Sequence, residues 1–328
     1  MKQLRILAFT ITILCTAAAA WAGGTAEPEQ APAPANHAEQ IAIEHEGGTT
    51  RLETHAERIV VLEWSYAEDL LALGIQPAGL ADISGYRNWV QVEPQPDDSV
   101  ADVGSRQEPS LEAIIELEPD LIIGVSFRHA AIYDQLSEIA PTILFNPYPG
   151  DDIDQYENMI ESFRVISTVT GREAAAEQVI AETDALYEQL SARIADAGLD
   201  GESIALAQGF TSQGSAQIRI FTDNALAIQI TTRLGLENAW DDGFQQYGFT
   251  TVGFEALTAL GNAHFFYVAQ PDDDVFAQAE DNPVWQSLEF VQSEQTYSLG
   301  GGTWLFGGAL SAQLVAEKIT DSLLNNQQ

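Results

Sequence analysis

The chain is 328 residues long and 45% hydrophobic, with 49 acidic against 13 basic residues and a formal net charge of −36. Length and apolar share allow two domains with cores of their own. The charge repels nucleic acid and anionic membrane surfaces, and it suits a protein kept soluble at high salt or high pH by a solvated acidic surface.

The N-terminus reads as a secretory signal: Lys2 and Arg5 are the charged region, Ile6 to Cys15 is a short apolar run, and Ala20-Trp21-Ala22 is a cleavage site. Cleavage is expected after Ala22. The only cysteine, Cys15, is a candidate lipid-attachment site, but bulky Leu14 before it disfavours that, so soluble export is the expectation. The mature chain then has no cysteine, which excludes disulfides, thiol nucleophiles and Cys-ligated metals. Residues 23–38, rich in Ala, Pro and Glu, read as a disordered linker.

Ile41–His45 and Thr49–Glu53 flank Gly47-Gly48 as a hairpin. Ile59–Leu62 is a buried strand, and Ser65-x-x-Glu68 predicts a capping box for a helix ending at Gly74. A strand at Pro77–Ala81 leads into a long loop with Tyr86, Arg87 and Trp89. Helices are predicted at Ser110–Leu117, Ala130–Ile139 and Ile153–Val169, and strands at Leu121–Val125 and Thr142–Phe145. This alternation predicts a parallel sheet with helices on both faces.

Arg172–Ala197 has no Pro or Gly and sets Val179, Thr183, Leu186, Leu190 and Ile194 on one stripe. Thr170 and Glu173 predict its capping box, and Gly198 its stop. At 1.5 Å per residue it is roughly 39 Å long. Beyond it the pattern restarts: strands at Ser203–Ala207, Ile218–Phe221, His264–Val268 and Thr296–Leu299, and helices at Ala225–Leu234, Phe254–Leu260, Val284–Leu288 and Phe306–Leu324. Periodicity leaves two readings open, two lobes on a strut or a long helix packed on one larger domain. In such sheets ligands sit beyond the carboxyl ends of the strands. The loops there hold Trp89, Arg106, Phe127, Arg128, Tyr247, Phe249 and Trp304.

Three stretches carry a resemblance: ERIVVLEWSYAEDLLALGIQPAGLADISGYRNWV from Glu57, DVGSRQEPSLEAIIELEPDLII from Asp102, and TWLFGGALSA from Thr303, with a weaker one at NAWDDGFQQYGFTTVGFEALTAL from Asn238. In these the chain resembles the periplasmic binding proteins for iron–siderophore complexes, and YR-x-WV and TW-x-[FY]-G point to the ferric hydroxamate (ferrichrome-type) branch. The resemblance runs from about Ile41 to the end. It implies an α/β fold of two Rossmann-like lobes joined by a single long rigid helix: a first lobe at 39–170, the helix at 171–198 and a second lobe at 199–328. It further implies a ligand, an iron(III)–siderophore complex in the interlobe cleft, and no cofactor or protein-held metal. Trp89, Arg106, Tyr247 and Trp304 match cleft-lining positions, with Phe127 and Arg128 beside them. Tyr247 stands where the family usually has Trp, and Phe249 where it has a small polar residue. Glu68 and Glu255 match the acidic residues, one per lobe, that meet an ABC importer permease in the inner membrane. The implied protein is a periplasmic monomer and not an enzyme.

One guanidinium can give forked, charge-assisted hydrogen bonds to the electron-rich oxygens of a ferric trihydroxamate, and flat aromatic walls can bury its apolar carrier. Ferric citrate or a catecholate, being strongly anionic, would call for several arginines, and Arg87, Arg106 and Arg128 are the candidates. The five His residues are scattered, which argues against a direct zinc or manganese site. His129, beside Arg128, reads as a surface residue or a cleft contact. No phosphate loop or nucleophile elbow follows a strand, which argues against an enzyme.

Overall fold

The computed structural model describes residues 40–150 and 153–325; the signal sequence, Cys15 and the linker lie outside them. The chain begins with an antiparallel hairpin of β1 (Ile41–His45) and β2 (Gly48–Leu52). The first α/β sheet follows: β3 (Ile59–Val61), β4 (Gly79–Leu80), β5 (Ala101–Asp102), β6 (Leu121–Val125) and β7 (Thr142–Phe145). All five run parallel in the order β5-β4-β3-β6-β7. β3, β6 and β7 are buried at every residue, as expected of a parallel sheet covered on both faces. Strand order reverses between β3 and β6, and a crevice opens beyond the carboxyl ends at such a switch point.

The second sheet holds β8 (Ser203–Ser212), β9 (Ser215–Phe221), β10 (Glu237–Asn238), β11 (Phe249–Val252), β12 (His264–Val268) and β13 (Thr296–Ser298). Its order is β11-β9-β8-β12-β13, with β10 also beside β8. It is mixed rather than parallel, because β9 runs against its neighbours. The cause is a two-residue turn, Gln213-Gly214, with φ of 51° and 77°. Two positive φ values in succession are what a tight hairpin requires, so these strands extend past their predicted ends and pair directly.

The long helix spans Glu173–Asp196 and buries Ala176, Ile180, Thr183, Tyr187, Leu190 and Ile194. It packs on the helices Gln155–Thr170 and Ala309–Asn325. One hydrophobic cluster runs from Val61 and Ile123 in the first sheet, through Leu190 and Ile194, to Leu206 and Phe266 in the second. The chain therefore forms two α/β lobes joined by one long helix. The predicted capping box at Thr170 is absent. Thr170 ends the preceding helix, where its hydroxyl donates to Ile166 O, and Gly171 at φ 64° breaks the two helices apart.

Two other local predictions differ. The helix Trp64–Ala72 starts two residues early, with Glu63 instead of Ser65 as N-cap, accepting from Trp64 N at 3.0 Å. The predicted loop around Trp89 is a helix, Ile83–Trp89, held by the Asp82 side chain accepting from Gly85 N and by burial of Ile83 and Tyr86. Among the described residues no helix is long and apolar enough to cross a membrane.

Candidate functional site

A cavity of about 290 Å³ lies between the lobes. First-lobe segments at the carboxyl ends of strands supply Glu63 after β3, Arg106 after β5, Phe127 and Arg128 on a short helix after β6, and Tyr148 after β7. The second lobe supplies Arg219 from β9, Tyr247 and Phe249 at the start of β11, and Trp304 and Phe306 after β13. The switch point between β3 and β6 thus brings Glu63 and Arg128 together.

Glu63 organises the charge. The residue is 6% exposed, and its carboxylate lies between two guanidinium groups. Arg106 Nη1 donates to Oε1 at 2.8 Å, and Arg128 Nη1 donates to Oε2. Arg106 lies face-on to the Trp64 ring, 3.5 Å from its centroid, and Arg128 over Phe127 at 4.6 Å. Burial pulls Arg106 down to about 10, against the raising effect of Asp82 and Tyr148, and it lowers Arg128 and Arg219 too. All three remain cations at neutral pH. Among the described residues Arg219 has no carboxylate partner: its Nη1 donates to Gln208 Oε1 at 3.0 Å, and it lies 4.8 Å from the rings of Phe210 and Phe249. Arg106 Nε has no partner although it is buried.

The rings form one chain across the cleft. Phe127 and Tyr148 of the first lobe meet Tyr247, which stacks on Phe249 at 6.2 Å. Phe249 continues to Phe306, Phe306 to Trp304, and Trp304 back to Trp64 and Trp89. Trp304 Nε1 is buried without a partner.

Six of the seven predicted ligand residues line this cavity. Trp89 does not; it lines an adjoining hollow of about 260 Å³ together with Trp64, Arg106, Arg219 and Trp304. Arg87 points away from the cleft, donating to Pro96 O and Asp98. His129 is neither on the surface nor in the cleft. It is fully buried, Nδ1 accepts from Val125 N, and Nε2 therefore holds the proton facing Arg106 O at 2.8 Å. Burial lowers its pKa and keeps it neutral, so it fixes the loop that carries Arg106.

Glu68 must be corrected as a docking residue. It is fully buried, accepting from Ser311 N at 2.7 Å and from Ser311 Oγ at 2.6 Å, and is out of reach of a partner. Nor does it form a capping box with Ser65, whose hydroxyl donates to Phe306 O. Glu255 is exposed on the short helix Phe254–Leu260. Glu63, Tyr148, Arg219 and Phe306 were not foreseen. Among the described residues no group of three or more His, Cys, Asp or Glu side chains is placed to hold a metal ion.

The family model described as "Periplasmic binding protein" matches residues 59–302. The iron(3+)-hydroxamate-binding protein FhuD of Escherichia coli (strain K12) is 30% identical over 255 residues, covering 78% of this chain and 83% of that one. The Fe(3+) dicitrate-binding periplasmic protein FecB of the same organism is 29% identical over 288 residues, covering 86% and 89%. Among solved structures, the Fe3+–Desferal-bound siderophore-binding protein FhuD of Vibrio cholerae superposes with a TM-score of 0.74 at 28% identity, covering 82% of this chain and 98% of that one.

Proposed function

This chain belongs to the periplasmic binding protein family, and on that premise we propose that it captures an iron(III)–siderophore complex of the hydroxamate type in the interlobe cleft and delivers it to an ABC importer permease in the inner membrane. The observation that carries this reading is the set of guanidiniums, Arg106, Arg128 and Arg219, in the lining of a cavity walled largely by aromatic rings. The guanidiniums donate to the chelate's iron-bound oxygens, and the rings cover its apolar carrier. The siderophore fills iron's coordination sphere, so the protein supplies recognition and no ligand atom. No bond is made or broken. The protein is exported to the periplasm as a monomer cleaved after Ala22, and Glu255 is its second-lobe contact to the permease.

A second reading, ferric citrate or another anionic chelate, is favoured by Arg219. With Arg87 outside the cleft, Arg219 supplies the third cation and has no carboxylate among the described residues to neutralise it. Titration of the mature protein's Trp emission separates the two. A ferric hydroxamate should quench it saturably, because Trp304 lies in the wall beside an absorbing complex. Saturable quenching by ferric citrate or a catecholate alone would replace the first reading by the second.

A further inference from the structure

We infer that Glu63 sets the ligand-charge preference of the cleft, and this rests on the iron–siderophore reading above. Among the described residues it is the only acidic one in a lining that also holds Arg106, Arg128 and Arg219, and it is paired with the first two, so the described lining carries two net positive charges instead of three. Both carboxylate oxygens are committed. Oε1 accepts from Arg106 and from the Trp64 backbone N–H, and Oε2 accepts from Arg128. Arg106 comes from the loop after β5 and Arg128 from the short helix Ser126–His129 after β6, and among the described residues no other hydrogen bond ties one guanidinium to the other. Glu63 itself is fixed as the N-cap of the Trp64–Ala72 helix, so it is a rigid post rather than a mobile surface acid. One buried carboxylate therefore does two things. It holds two like charges close together, and it offsets one of them before any ligand arrives.

The consequence lies in selectivity. An uncharged ferric trihydroxamate needs oriented N–H groups but gains little from net positive charge. An anionic chelate gains from every uncompensated guanidinium, and in a half-buried site one unit charge a few ångströms away alters affinity by roughly tenfold or more. Glu63 thus holds the cleft open to uncharged complexes and weakens its grip on anionic ones. Glu63→Gln keeps the shape and one acceptor oxygen, removes the charge, and turns an N–H group toward one of the two guanidiniums.

The test is the ratio of the dissociation constants for ferrichrome and ferric citrate, from Trp quenching, at low and at high salt. In Glu63→Gln the ratio should move about tenfold toward citrate, and the citrate affinity should fall more steeply with salt than in the wild type. Glu63→Asp keeps the charge but shortens the reach; it should retain the wild-type ratio even where both affinities fall, and it carries the test if the Gln variant does not fold. The double variant Glu63→Gln/Arg128→Gln restores the lining charge and should return the ratio. Equal changes for both ligands in Glu63→Gln, or a shifted ratio in Glu63→Asp, overturn the inference and leave the iron reading standing. A wild-type protein that binds neither complex overturns both.

Discussion

At the scale of single residues, the arginines differ in what their removal exposes. Arg219 has no acidic partner among the described residues, so Arg219→Ala should weaken binding of the iron complex by about 1.5–3 kcal/mol, the usual worth of hydrogen bonds to a charged group. Its thermal midpoint should hold, since only the bond to Gln208 and two ring contacts are lost. Arg106→Ala should lose a similar amount of affinity and also unfold earlier, because Glu63 loses one of its two guanidiniums. Calorimetric titration and a melting curve on each variant check this; unchanged affinity in Arg219→Ala would remove it from the site. Arg106 was legible because it sits in a strand-end loop inside a recognisable block. Arg219 was not. It alternates with Ile218 and Ile220 in what reads as a core strand, and only the position of the other lobe shows that its face of the strand borders a cleft. Glu63 was hidden for a different reason: among 49 acidic residues no single carboxylate stands out until two arginines are seen to converge on it.

At the scale of elements, adjacent carboxylates Glu68 and Asp69 on the Trp64–Ala72 helix are buried where it meets the start of the Ala309–Asn325 helix. Glu68 caps the latter through Ser311, whereas Asp69 Oδ1 has no partner. Burial pushes Asp69 well above the usual carboxylate range, and the charge of Glu68 pushes it further. Glu68 is also raised by burial, against the hydrogen bonds it accepts. A raised folded-state pKa means that the folded protein holds protons the unfolded chain has released. That stability is fully present below the unfolded carboxylate pKa of about 4 and is lost as pH rises through the folded value. Asp69→Asn should therefore melt at a higher temperature than the wild type at pH 8, with the gap closing toward pH 4. A gap that is constant across that range would mean that Asp69 does not titrate as described. This pairing could not be read from the chain, because Glu68 and Ser311 are 243 residues apart and the local pattern S-x-x-E offered a nearer partner. The Ile83–Trp89 helix was missed likewise: seven residues containing Gly85 have little intrinsic helicity, and tertiary burial decides the outcome. The long helix was legible because nothing in its sequence competes with its stripe.

At the scale of the whole molecule, docking and lobe movement are separate questions. With Glu68 buried, Glu255 is the remaining acidic docking candidate. Glu255→Gln should leave siderophore affinity unchanged and reduce uptake in a reconstituted transporter, while Asp273→Asn should change neither affinity nor uptake; normal transport by the Glu255 variant would remove the assignment. Lobe movement is limited by what crosses between the lobes. Besides the Glu68–Ser311 pair, Ser65 Oγ donates to Phe306 O at 2.7 Å, Gln155 Oε1 accepts from Leu226 N at 3.0 Å, and Gln229 Oε1 accepts from Tyr156 N at 2.8 Å. The hydrophobic cluster continues through the long helix into both sheets. A hinge closure of several ångströms would break these buried and part-buried bonds and open that cluster, a cost that ligand binding would have to offset. The family resemblance suggested a rigid joining helix, but it is these cross-lobe bonds that give the rigidity a physical cause. Small-angle scattering with and without saturating ferric siderophore should therefore show the radius of gyration changing by less than about 1 Å, the behaviour of a pre-organised binder. A contraction of several ångströms would mean that the bonds at Ser311, Leu226 and Tyr156 exchange partners during binding, and the lobes would then have to be treated as a closing pair.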